Sequence, residues 1–237
     1  MGFMANIKGR KALRKQAAGD IEGAKSLYEA ALQEGINNPR ILLAYAILLL
    51  RNDEYEKAKD LLVTKVQKAP GLNAEQKRQM YIDYAVCCYK LGDIERAVSL
   101  LDKQCDKGQN SLLYQTLGFI LIDTGDYDRA LTFNKQAVDY DEDDAICLDN
   151  LGQVYYRMQG GDKRKAKEYF DAAIKIKPGQ IDTLYFLSLY DIEDGKTEDA
   201  VEKLETALEG RFSPLNFAGK DKITELLNSL KADAVQD

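Results

Sequence analysis

Residues 117–137 read LGFILIDTGDYDRALTFNKQA, and this stretch decides the fold. It reads as a helix, a tight turn and a second helix. Gly118 is small and lies on the first helix; Ala130 and Ala137 are small and lie on the second. Gly125 and Asp126 form the turn. A glycine tolerates the positive φ that closes a helix, and an aspartate directly after it can cap the next one. Two antiparallel helices approach to about 8–10 Å only where small side chains meet. Around that contact Tyr114, Leu117, Leu121, Tyr127 and Leu131 supply the larger apolar surface.

The arrangement recurs. Small residues stand on six first helices, at Ala12, Ala46, Ala85, Gly118, Gly152 and Ser188. Alanines stand on six second helices, at Ala24, Ala58, Ala97, Ala130, Ala166 and Ala200. Within a unit the two are twelve residues apart, except in the fifth, where they are fourteen apart. The alanines follow one another at 34, 39, 33, 36 and 34 residues. A fixed period of this size marks an array of stacked units. Gly19, Gly92 and Gly195 repeat the turn glycine, and Asp20 and Asp93 repeat the cap.

Composition agrees and removes several functions. The chain has 237 residues, above the usual size of one compact core and ordinary for an array that grows by units. Its net charge of −6 argues against nucleic acid as the main ligand. It has no histidine, which removes the commonest general base and the commonest zinc ligand. There is no glycine-rich phosphate loop and no nucleophile paired with a base at useful spacing, so neither an enzyme nor a cofactor is expected. No apolar run reaches the length of a membrane span. Cys87, Cys88, Cys105 and Cys147 form no C-x-x-C pair, and a reducing cytoplasm is the simpler setting.

The chain resembles the tetratricopeptide repeat family over about residues 5 to 214. The Leu117-Gly118 and Leu151-Gly152 pairs, the GDIEGA, EYEKA, GDIERA and GDYDRA turns, and the closing Pro70 and Pro178 carry the resemblance. It implies an all-α fold, a right-handed α-solenoid of six helix–turn–helix units at about 5–38, 39–72, 78–110, 111–144, 145–180 and 181–214, within one solenoid domain spanning 1–237. Lys65 and Gln104 depart from the small residue expected on helix two, Asn134 stands where an aliphatic or aromatic residue is usual, and there is no tryptophan. These departures are expected to loosen individual units.

Other stretches fit around this frame. The first helix crowds Lys8, Arg10, Lys11, Arg14 and Lys15 together, with no acid before Asp20. Such a cluster is usually a solvated face, but it also resembles the flank just inside a membrane anchor, which points to an upstream anchor outside this sequence. The second unit opens with ILLAYAILLL, bounded by Arg40 and Arg51 and read as a buried helix. Asn73 to Lys77 are five extra residues read as a lengthened connection, and MQGGDKRK is read as a basic loop. A capping helix is expected at 219–231, with Ile223, Leu226, Leu227 and Leu230 in one stripe and a frayed tail from Ala232 to Asp237.

Two clusters read as structural. Cys87 and Cys88 are adjacent on a helix, so their side chains diverge by about 100° and cannot jointly grip a metal. All four cysteines are read as small apolar residues. The run Asp141 to Asp144 lacks the alternation and the glycine of a calcium loop and is read as serving the next helix N-terminus.

The resemblance implies that the first helices line an inner face where ligands lie. By register the inward residues are Leu43, Ile47 and Leu50 in the second unit, then Ile82, Val86 and Tyr89 in the third. Gln115, Phe119 and Ile122 follow in the fourth, Asp149, Gln153 and Tyr156 in the fifth, and Tyr185, Leu189 and Ile192 in the sixth. Some family members hold a partner's C-terminal carboxylate with Lys, Arg and Asn at such places; apolar residues here disfavour that mode. The row suits a hydrophobic or amphipathic peptide or helix, with Tyr89, Phe119 and Tyr156 as anchors. The expected function is therefore a non-catalytic, cytoplasmic scaffold for a protein or peptide partner. The alternative is a self-associating assembly protein, a homo-oligomer whose inner face is filled by its own last helix or a second copy, held at the cytoplasmic face of a membrane by the upstream anchor.

Overall fold

The computed structural model describes residues 2–233. The chain divides into two compact bodies, residues 1–108 and 109–237. The first contains α1 (Gly2–Ala17), α2 (Ile21–Gln33), α3 (Pro39–Arg51), α4 (Tyr55–Leu61), α5 (Ala74–Lys90) and α6 (Ile94–Cys105). The second contains α7 (Ser111–Asp123), α8 (Tyr127–Tyr140), α9 (Ala145–Arg157), α10 (Lys163–Ile176), α11 (Ile181–Glu193), α12 (Thr197–Leu208) and α13 (Lys220–Asp233). No strand occurs among the described residues. Consecutive helices pair as hairpins, α1 with α2 and so on to α11 with α12, and α13 packs along α12.

The small-residue period is the packing period. Ala12, Ala46, Ala85 and Ser188 on the first helices, and Ala24, Ala58, Ala97, Ala130, Ala166 and Ala200 on the second, have no exposed surface. The two glycines of the set are equally tight. A Cβ on Gly152 would lie 2.8 Å from the ring of Phe170, and one on Gly118 would lie 2.3 Å from Oδ1 of Asn134. Each partner stands four residues after its helix-two alanine, a place also taken by Tyr28, Leu62, Leu101 and Leu204, all buried. At Asn134 the side chain is fully buried, and its Oδ1 has no hydrogen-bond partner among the described residues. Its amide donates to the carbonyls of Ala130 at 2.9 Å and Gly118 at 3.3 Å, tying the two helices together.

Helix ends follow the turn chemistry. Gly19, Gly92, Gly125 and Gly195 take φ between 72° and 85°, and in the second hairpin Asp53 takes the same conformation at 58°. The carboxylates of Asp20, Asp126, Asp144 and Asp162 accept backbone N–H groups of the helices that follow them. Asp144 serves Ile146 and Cys147, which is the role read for the acidic run. Asp93 departs from expectation: it precedes α6 but its side chain accepts no capping bond.

Two further expectations are corrected. Ala74 to Lys77 do not lengthen a connection; they form the first turn of α5, closed by a reciprocal box between Asn73 and Gln76. Helix α4 ends in a π turn, Leu62–Val66, which inserts one residue into the helical repeat. Lys65, at the place of the second small residue, is thereby turned outward, and Val66 is buried instead. Gln104, the other departure, is buried. The last helix runs beyond its expected end to Asp233, with Ile223 and Leu227 buried; residues 234–237, read as frayed, lie outside the described residues.

Candidate functional site: the inner-row residues

In the first body, α3 and α5 carry the inner row. Leu43, Leu50, Ile82 and Val86 are buried, while Ile47 and Tyr89 are half-buried. Helix α3 is apolar almost all round, which buries it on most of its surface. Ile47 and Tyr89 are the row members that retain surface here.

In the second body, Phe119, Ile122, Asp149, Gln153 and Tyr185 are buried; Gln115, Tyr156, Leu189 and Ile192 are half-buried. No member of the whole row is fully exposed. The Gln115 side-chain amide donates to Asp144 at 2.7 Å, and the Gln115 backbone carbonyl accepts the Asn150 amide at 3.0 Å, so this residue links α7 to the N-cap and the middle of α9. Asp149 accepts from Gln153 at 2.7 Å and from the Thr183 hydroxyl at 2.6 Å, which joins α9 to α11. Tyr156 meets Phe186 edge-on at 5.0 Å and Tyr190 at 5.7 Å.

The chain's own non-helical segment before α13 packs against α11 and touches the row at Tyr185. Asp182 on α11 accepts the Asn216 amide at 3.1 Å and the backbone N–H groups of Phe217 at 3.0 Å and Ala218 at 2.9 Å. Phe217 stacks on Phe186 at 5.1 Å and tilts against Tyr185 at 6.0 Å. The Arg157 guanidinium lies 4.3 Å from its ring centre and the Lys222 ammonium 3.6 Å. Phe186 in turn stacks on Phe170 at 4.9 Å. Asp182, Phe186 and Phe217 are the residues that sequence reasoning missed. Asp182 stands three residues before Tyr185, so helical periodicity alone pointed to its side of α11.

Burial dominates the electrostatics. It holds the pKa of Asp149 above the usual carboxylate range, with the nearby Asp182 charge adding to the effect. Asp182 is also raised by burial, against the pull of the three N–H donors from residues 216–218. Burial pushes the Cys87 thiol up to about 12 and raises Cys88 and Cys147 as well. Raised thiols are weak nucleophiles and weak metal ligands. Among the described residues no group of His, Cys, Asp and Glu is arranged to hold a metal ion, and no helix is long and apolar enough to cross a membrane.

Paired helices repeated around buried small residues define a helical-repeat protein. Three tetratricopeptide repeat profiles match residues 16–78, 56–140 and 146–180. The chain belongs to the tetratricopeptide repeat family. It has no match among curated proteins. Among solved structures it is similar to a tetratricopeptide repeat protein from Parabacteroides merdae, with a TM-score of 0.76 and 17% identity over 96% of this chain and 84% of that one. It is also similar to PilW, a widely conserved type IV pilus biogenesis factor, with a TM-score of 0.64 and 17% identity over 96% of this chain and all of that one. A third likeness is to the APC/C hetero-tetramer Cut9–Hcn1, at 0.68 and 14% identity over 95% of this chain and 42% of that one. At these identities the likeness is one of fold.

Proposed function

We propose that the chain is a non-catalytic scaffold that docks a protein partner through a hydrophobic or amphipathic peptide or helix laid against its first helices. The observation that carries this reading is the seating of Asn216, Phe217 and Ala218 on α11. There a carboxylate takes consecutive backbone N–H groups while an aromatic ring enters a slot of Phe186, Tyr185 and Arg157. Backbone capture beside an aromatic pocket is how a protein reads a peptide. The half-buried Tyr156, Leu189 and Ile192 on the same inner row supply apolar surface for a partner's side chains. Ile47 and Tyr89 offer the same chemistry on the first body. The buried row members, such as Phe119 and Ile122, act beneath that surface as support.

Selection of displayed random peptides on the immobilised protein tests this. Enrichment of aromatic and aliphatic sequences, abolished by Leu189→Asp with Ile192→Asp, is the expected result. No enrichment, or retention unaltered by those substitutions in a chain that still melts normally, would refute it.

A further inference from the structure

We infer that α1 is a peripheral docking element for an anionic lipid surface, a role independent of the peptide-docking reading. Helix α1 has no acid and carries Lys8, Arg10, Lys11, Arg14 and Lys15 in a chain whose net charge is −6. Two of these cations are neutralised within the first body. Lys8 pairs with Glu34 at 2.5 Å, and Lys15 pairs with Asp20. Arg10, Lys11 and Arg14 have no anionic partner among the described residues and are exposed.

The same face carries apolar surface. Phe3 is 78% exposed and Met4 55%, the two highest values among the exposed large apolar side chains. Val63, Ile94, Tyr140 and Ile176, the others of that kind, stand singly in sequence, while Phe3 and Met4 adjoin the half-buried Ile7. Ala5, Gly9 and Ala12 face inward and are buried; a Cβ on Gly9 would meet Ile41 at 2.7 Å, so this side of α1 is held against α3. At about 100° per residue, Phe3, Ile7, Arg10 and Arg14 form one line on the opposite side, with Met4 and Lys11 beside it.

Apolar and cationic groups are thus segregated along the helix, with the apolar group in the first two turns and the cations in the next two. Nucleic acid or an acidic protein surface would engage the cations and leave Phe3 and Met4 in water. A bilayer satisfies both, because acyl chains lie beneath anionic headgroups. The chemistry fits shallow insertion of Phe3 and Met4 with Arg10, Lys11 and Arg14 at the phosphates.

Co-sedimentation of the full chain with vesicles tests this, comparing phosphatidylcholine alone with phosphatidylcholine containing about 30% phosphatidylserine. Binding is expected to the anionic vesicles only and to be lost at high salt, a readout that needs no variant. Arg10→Gln, Lys11→Gln and Arg14→Gln together should weaken it roughly 100-fold, about five-fold for each cation. Phe3→Ser with Met4→Ser should weaken it about ten-fold or more. These positions are exposed, so each variant's melting temperature should match wild type. No anionic-vesicle binding, binding unmoved by the cation variants, binding unmoved by the apolar variants, or tighter binding to duplex DNA than to vesicles would each overturn the proposal.

Discussion

The carboxylate of Asp182 accepts the backbone N–H of Ala218 at 2.9 Å, from a residue thirty-six positions further along the chain. With the Phe217 N–H and the Asn216 amide on the same carboxylate, this one side chain fastens the segment that leads into α13. Ala218 has no exposed surface, so its N–H cannot turn to water when the acceptor is removed. Asp182→Ala should cost about 2–4 kcal/mol, mostly through donors left without partners. The cost should be local. Hydrogen exchange should show residues 213–231 losing protection before α9 and α10 do, and equal protection in that segment would refute the latch.

Asp83 makes stability fall as pH rises. It is buried on α5, where Gln79 donates to one carboxylate oxygen at 2.6 Å and the other oxygen has no partner among the described residues. Burial lifts its pKa from 3.8 to about 7. The folded value therefore lies above the unfolded one. Between about pH 4 and pH 7 the unfolded chain releases this proton while the folded chain keeps it. Stability from this group is full below that window and is lost across it, with a ceiling of about 4 kcal/mol. Asp83→Asn removes the titration, so its advantage over wild type should grow from pH 4 to pH 7 and then level off. Urea unfolding across that range measures it, and a difference that stays flat with pH would refute the assignment.

Much of this is legible in the sequence, and what is not has physical reasons. The small residues from Ala12 to Ala200 were legible because close helix packing leaves a periodic trace in residue size. The π turn was not: the β-branched Val63, Thr64 and Val66 weaken helix preference without announcing an inserted residue, which shows only in which side chain turns inward. The inner row was legible as a register but not in its exposure. Register tells which side of α9 carries Asp149 and Gln153; it does not tell that Thr183 will lie over one of them. The seat of Phe217 was illegible for another reason. Residues 211–219 are non-helical, so no period announces where they fold back.

The π turn gives a paired prediction on neighbouring residues. Lys65 is exposed and Val66 has no exposed surface. Lys65→Ala should change stability by no more than about 0.5 kcal/mol, whereas Val66→Ala should cost about 2 kcal/mol. An unbroken α-helix through the same sequence would put Lys65 at the small-residue place and Val66 outside, so that Lys65→Ala would stabilise and Val66→Ala would cost little. Thermal unfolding of the two variants decides between them.

The contact between Gly118 and Asn134 predicts a coupling that neither residue shows alone. A Cβ at Gly118 would sit 2.3 Å from Asn134 Oδ1 and 3.1 Å from its Cγ, so Gly118→Ala must push the amide off the carbonyls it now serves. Overpacking of this kind costs about 1–3 kcal/mol, and it outweighs the roughly 1 kcal/mol that alanine gains over glycine within a helix. Asn134→Ala should itself be destabilising, because it empties a buried site and removes two hydrogen bonds. Combined, the new methyl at 118 enters the space the amide leaves, and the helix preference of alanine is then expressed in full. The double variant should therefore be at least about 1 kcal/mol more stable than the two single effects sum to. Strict additivity in denaturant unfolding would show that Asn134 does not occupy the place above Gly118, and with it would go the equivalence of Asn134 and Phe170 in successive repeats.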